Sequence, residues 1–292
     1  MSKTTELGEN TIIGNPLVTD NCVKFKANSR GNILFCEDGT DLRGSTITFN
    51  GDNALVYLSK NKHQYKLSVS MNRGNTLYIG KNNYFNGKMN LILSERKHIV
   101  IGDDGLFSFG IWLRTADPHL IYSCETHERI NPSKNILIGG HVWIGQGSLV
   151  LKGSTISSGS IIGANSTVSG KLVPSNQSWA GAPAKKIAED IFFDGACVHN
   201  WTEEQTEASR LFSSDKWIFT TDQAVSHTST DGIFKKLDLL QTAKDRLDYL
   251  QSNPKELQGK YHFANPNHGA NIHTKVKAQR ASFFSSLLGK KH

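Results

Sequence analysis

From Ile138 onward an aliphatic side chain returns at every sixth position: Ile138, Ile144, Val150, Ile156, Ile162 and Val168. If Ile, Val and Leu fill about a quarter of positions, six consecutive hits arise by chance on the order of once in several thousand trials. Small residues keep the same beat two places before the next aliphatic, at Ser148, Ser154, Ser160 and Ser166. Glycine often follows the aliphatic directly, at Gly139, Gly145 and Gly163. Neither the helical period nor the two-residue alternation of a half-buried strand produces this pattern. A single hexad is too short to bury its own apolar side chain, so hexads must stack. Three of them make a triangular coil of about 18 residues, and successive coils hydrogen-bond at the strand spacing of about 4.8 Å. The aliphatics then point into a prism, and the small residues fit its tight corners.

The same period recurs upstream in looser form, as Ile79, Phe85 and Leu91 and again as Ile101, Phe107 and Leu113. Before residue 75 the chain is rich in Asn, Gly, Thr and β-branched residues, which suits further, irregular coils. The expected fold is therefore all-β, a parallel β-helix over roughly residues 10–180, within a domain spanning 1–190. Between Leu113 and Ile138 the rhythm fails across TADPHLIYSCETHERINPSKN. Pro118, Pro132 and the polar run predict a loop, 114–136, extruded from the prism, where binding and catalytic groups tend to lie.

After about residue 190 the pattern changes to a helical and irregular extension, 191–292. Thr202 with Gln205 predicts a capping box. Leu237, Leu240, Leu247 and Leu250 trace a helical stripe over 236–251, stopped at Asn253-Pro254. Beyond Glu256 there is no Asp or Glu, and six Lys and Arg residues there supply nearly all of the formal charge of +7. The rest of the chain is close to neutral, which argues against nucleic acid as a partner. The basic tail, ending in RASFFSSLLGKKH, suits an anionic partner or the inner surface of a membrane. A polar start without an apolar core, and no apolar run long enough to span a bilayer, predict a cytoplasmic protein. Cys22, Cys36, Cys124 and Cys197 form no CxxC pair and are expected to be reduced.

The stretch from Gly102 to Phe193 carries the motifs D-x-H-x-I-Y-S, E-R-I-N, H-V-W-I-G and A-G-x-P-A-K. In these it resembles the hexapeptide-repeat acetyltransferases of the galactoside and xenobiotic type. In particular it resembles the bacterial capsule polysaccharide (polysialic acid) O-acetyltransferases. The resemblance implies a left-handed β-helix, a homotrimer with composite active sites, acetyl-CoA as co-substrate and a capsular or other surface polysaccharide as acceptor; the basic tail points to an anionic one. A small acceptor, or a scaffold without catalysis, stays open at this point.

Acetyl transfer from a thioester to a sugar hydroxyl needs a base, because a neutral hydroxyl is a weak nucleophile. A neutral imidazole, near pKa 6.5 when free, can accept that proton and return it to the leaving thiolate. The resemblance assigns this role to His119. Asp117, two residues earlier, is a candidate to orient the ring, although a backbone carbonyl would serve as well. Trp143, large and outward-facing on a prism wall, is implied in the active site; packing between subunits is its other reading. His141 is a neighbour that reads more simply as a surface residue. The extended pantetheine arm of coenzyme A pairs with exposed backbone, and motif alignment puts those contacts near Gln146, Ala164 and Ser169. Lys171, Lys185 and Lys186 are the candidates for its phosphates. The spacing of His119, His127 and His141 does not resemble the metal-binding pattern of β-helix carbonic anhydrases, and no metal is expected.

Overall fold

The computed structural model of the chain describes residues 3–219 and 230–254. Short strands stack into three parallel ladders, the faces of a triangular prism of about seven turns. Face 1 runs from Asn10–Ile13 to Leu172–Val173 and is closed at its start by the antiparallel strand Thr4–Leu7. Face 2 runs from Val23–Phe25 to Thr167–Ser169. Face 3 runs from Tyr84–Phe85 to Gln177–Ala180 and ends in an antiparallel hairpin with Lys185–Glu189. The chain visits the faces in the order 1, 3, 2, so each coil has three corners.

The hexad aliphatics form the core. Ile138, Ile144, Val150, Ile156, Ile162 and Val168 are all completely buried, as are Ile79, Leu91, Ile101, Phe107 and Leu113. Register explains the columns: Ile138 faces Ile156, Ile144 faces Ile162 and Val150 faces Val168. The corner serines are buried because their hydroxyls bond carbonyls of the following coil: Ser148 to Gly163, Ser154 to Val168 and Ser160 to Pro174, at 2.8–3.1 Å. Each corner turns on a residue with positive φ, three places after the aliphatic: His141, Gly147, Gly153, Gly159 and Asn165. Gly145 answers a different need, since a Cβ there would lie 2.6 Å from the backbone nitrogen of Ala164 in the next coil.

The 18-residue coil holds only in the second half, where Trp143 lies opposite Ile161 and Leu149 opposite Thr167. Upstream, Thr11 lies opposite Ile33 and Ile33 opposite Leu55, a step of 22 residues. The four extra residues widen the corner between faces 2 and 1, and buried asparagines hold that wider turn. Asn32 donates to the side chain of Asn10 and to the carbonyl of Gly51, and accepts from the backbone of Ala54. Asn75 donates to the carbonyl of Lys97. Paired in this way, buried amides stabilise a turn instead of penalising it.

The chain then leaves the prism as a strap, 191–219, bound along the corner between faces 1 and 3. Asn176 donates to the carbonyls of Ile191 and Trp217 and accepts from the backbone of Phe219. Within the strap lies helix α1 (Glu203–Ala208), with the Thr202–Gln205 capping box in place. The leucine stripe resolves into two helices, α2 (Thr230–Leu239) and α3 (Ala243–Ser252). The break falls where Thr242 caps α3 in a second capping box, with Asp245. Ile233, Leu237, Ala243, Leu247 and Leu250 pack onto Phe35, Leu55, Tyr57, Tyr78 and Val100 of face 1. A fully buried Leu or Ile is worth roughly 1.5–3 kcal/mol, so the two helices are a firm cover for that face. Arg246 of α3 is almost fully buried and donates to the carbonyls of Leu240 and Asn53. The basic segment 257–292 and its expected terminal helix lie outside the described residues.

Candidate active site

The extruded loop occupies residues 115–135, between the strands Trp112–Arg114 and Ile136–Ile138, at the corner of faces 2 and 1. Its fold is set by polar anchors. Arg129 forms a two-pronged pair with Glu95 at 2.7 and 3.0 Å, and the Ser133 hydroxyl donates to the same carboxylate at 2.5 Å. Arg129, followed by Ser133, holds the Glu95 carboxyl down at about 2. Deeper in the loop, buried Asn131 donates to the carbonyl of His119 at 2.7 Å and accepts from the backbone of Ile121. His119 itself is exposed, and its ring has no hydrogen-bond partner among the described residues.

The Asp117 carboxylate makes no hydrogen bond to that ring among the described residues. It meets Lys152 at 2.6 Å and Asn131 at 3.3 Å, and Lys152 lowers its pKa. What fixes the His119 segment is backbone bonding by Asn131, with Lys152 bridging Asp117 and the carbonyl of Asn131. Sequence reading missed Asn131, Lys152 and Glu95, which lie far apart along the chain. The N of E-R-I-N was the one available signal.

Trp143 projects from face 3, with Leu106 and Ile161 as its neighbours in register. It lines a groove of about 770 Å³ bounded on the far side by the strap. His141, expected at the surface, is buried. Its ring is stacked between Phe193 at 4.0 Å and Trp217 at 3.5 Å, nearly parallel to both, and its Nε2 lies 2.9 Å from the carbonyl of Phe193. Burial lowers its pKa, so the sandwich holds a neutral imidazole. Its role is to clamp the strap.

The predicted coenzyme contacts divide between two edges. Gln146 and Ala164 follow one another down the corner of faces 3 and 2, where the backbone of Asn165 bonds the carbonyl of Gln146. Lys185 continues that edge from the terminal hairpin, opposite Ala180. Lys186 follows it and is paired with Glu189 at 2.6 Å. Ser169 and Lys171, both exposed, lie on the other edge of face 2, below Leu151 and on the side of the His119 loop. In a triangular section, the corner that carries His119 lies opposite the face that carries Trp143. Among the described residues no cluster of His, Cys, Asp or Glu is arranged to hold a metal.

No family model matches the chain. It is 30% identical to the polysialic acid O-acetyltransferase of Neisseria meningitidis over 192 residues, 65% of this chain and 88% of the relative. The Escherichia coli O1:K1 polysialic acid O-acetyltransferase is 33% identical over 161 residues, 55% of this chain and 48% of that one. The chain belongs to this O-acetyltransferase family. The crystal structure of the polysialic acid-specific acetyltransferase NeuO aligns with a TM-score of 0.55 at 26% identity, covering 68% of this chain and 97% of that one. The polysialic acid O-acetyltransferase OatWY shares the fold, with a TM-score of 0.52 at 23% identity over 70% of this chain and 96% of that one. The prism is thus a left-handed β-helix, and the enzyme is an acyltransferase acting on a hydroxyl group. In this O-acetyltransferase the alignments leave between 30% and 45% of the chain unmatched. None of its described helices is long and apolar enough to cross a membrane.

Proposed function

We propose that the enzyme moves acetyl from acetyl-CoA to a hydroxyl of an anionic polysaccharide, polysialic acid being the acceptor that its relatives' names give. The transfer takes place directly, in a ternary complex. The imidazole of His119 takes the proton of the sugar hydroxyl as its oxygen bonds the thioester carbonyl carbon. The tetrahedral intermediate then expels the thiolate, which receives the proton back. Donors beside the carbonyl, the indole N–H of Trp143 or backbone N–H groups, steady the oxyanion.

One observation carries this reading: the expected site residues fall into two exposed halves on opposite sides of a single prism. His119, Ser169 and Lys171 form one half; Trp143, Gln146, Ala164 and Lys185 form the other. A neighbouring copy that applies its loop corner to this copy's third face brings the halves together. Such a head-to-tail contact closes into a ring, and for a triangular prism the ring is a trimer. The loop presents Leu120, Ile121, Tyr122 and Ile130 to solvent, a cluster that a subunit contact would cover. Acetyl-CoA is a cytoplasmic metabolite, so the enzyme works there, and the basic segment 257–292 is suited to hold it at the inner membrane surface.

The test is incubation with acetyl-CoA and a panel of capsular polysaccharides, followed by NMR for new O-acetyl signals. His119→Ala is expected to lower turnover by about 10²- to 10⁴-fold with the oligomer and coenzyme binding intact. Near-normal turnover in that variant rejects the assignment.

A further inference from the structure

We propose that the groove on face 3 is an extended acceptor subsite, holding a run of sugar rings that leads to the reacting one and recognising it by ring stacking rather than by charge. The inference rests on reading Trp143 as part of the transfer site. Tyr84, Leu106 and Trp143 stand in register on three successive coils, each pointing outward from the same face. They climb at about 4.8 Å per coil. The ring of His63 meets Tyr84 edge-on at 5.2 Å and prolongs the column by one step. Tyr84 and Trp143 are 38% and 37% exposed, aromatic surface left open where a monomer would normally cover it.

The strap supplies the opposite wall, from Phe193 to Cys197 and again at Lys216 and Trp217. This wall is rigid because the His141 sandwich and Asn176 fix both ends of it to the corner of the prism. At about 770 Å³ the cleft falls within the range of ligand-binding sites. Its lining pairs an apolar column with amides and hydroxyls, Asn82, Asn86 and Ser108. A pyranose has the matching character, with one apolar ring face and a rim of hydroxyls. The charges cancel: Lys62 and Lys216 are set against Asp104 and Asp194, and the Lys216 ammonium lies 4.1 Å over the Trp217 ring. A track reading the carboxylates of a polyanion would carry an excess of cations. This one does not.

The experiment uses polysialic acid fragments of graded length, with dextran fragments as the neutral comparison. Transfer kinetics and tryptophan fluorescence titration are followed in parallel. With Tyr84→Ala, the ratio of the KM for long fragments to that for the shortest is expected to rise about tenfold, and Tyr84→Phe restores it. Long-fragment binding is expected to change little between about 50 and 300 mM salt. The subsite is overturned if Tyr84→Ala shifts all lengths equally, or none. A steep loss of binding with salt, or a change of oligomeric state on Tyr84→Ala, overturns it as well. Length-dependent binding without transfer of acetyl to any fragment sinks the acetyl-transfer reading alone; transfer without length-dependent binding sinks the subsite alone.

Discussion

Asn131 makes three kinds of contact at once, donating to the carbonyl of His119, touching Asp117 and accepting from Ile121. Its removal frees the His119 segment from its side-chain tether while the Glu95 and Lys152 anchors of the loop remain. Misplacement of a reacting group by about 1 Å can cost on the order of 10²-fold. Asn131→Ala is therefore expected to lower kcat by about that factor while the KM for acetyl-CoA stays put. Asp117 is a different case, because its carboxylate is engaged with Lys152. If Asp117 only supports the loop, Asp117→Asn costs within about tenfold in kcat. If it orients the ring as a triad carboxylate does, the amide costs about 10⁴-fold. Steady-state kinetics of the two variants, measured side by side, separate these roles. The sequence made His119 and Asp117 visible through their motif but not their relation, since the Lys152 that claims the carboxylate stands 35 positions further on.

From Ile144 to Val173 each strand sends a single side chain into the core, so the core is thin there and every position counts. Ile162→Ala removes a completely buried side chain and is expected to destabilise the enzyme by about 2–5 kcal/mol in denaturant unfolding; a loss well under 1 kcal/mol would contradict the stacked-hexad core. The cover on face 1 has its own sensitivity. His98 is buried against α2, its Nδ1 accepting from the backbone of Thr76 and its Nε2 lying 3.3 Å from Asp238, which Lys97 also contacts. Burial outweighs Asp238 and lowers the pKa of His98 below its usual 6.5. The folded protein then binds fewer protons here than the unfolded chain, so this contribution to stability is complete above about pH 6.5 and declines as the pH falls below it. Hydrogen exchange in α2 and α3 is expected to quicken from about pH 7.5 to about pH 5.5 beyond its intrinsic change, and unaltered protection would refute the coupling. The hexads were legible because their period excludes helix and plain strand alike. The 22-residue coils were not, because four-residue corner insertions break the beat where Asn32 and Asn75 take over the bonding. Likewise the break between α2 and α3 was hidden by leucines that keep a helical spacing across it.

At the scale of the whole molecule, the exposed aromatic side chains carried by described prism strands, Tyr84, Trp112 and Trp143, stand on faces 2 and 3. The chain's own helices cover face 1 from Ile33–Cys36 to Ile136–Ile138, and they do not cover faces 2 and 3 or the loop corner. The two halves of the proposed site lie on those uncovered surfaces, and each is incomplete without the other. Sequence spacing gave no hint of this, because His119 and Trp143 stand close along the chain, while the prism puts its bulk between the loop corner and face 3. Subunit complementation reads this arrangement directly. His119→Ala and Trp143→Ala, each inactive alone, are co-expressed and the mixed oligomers assayed for acetyl transfer. Random mixing in a ring whose sites draw His119 from one copy and Trp143 from the next predicts recovery of about a quarter of wild-type activity. Mixed oligomers that form normally but stay as inactive as either parent would contradict a site shared between neighbours.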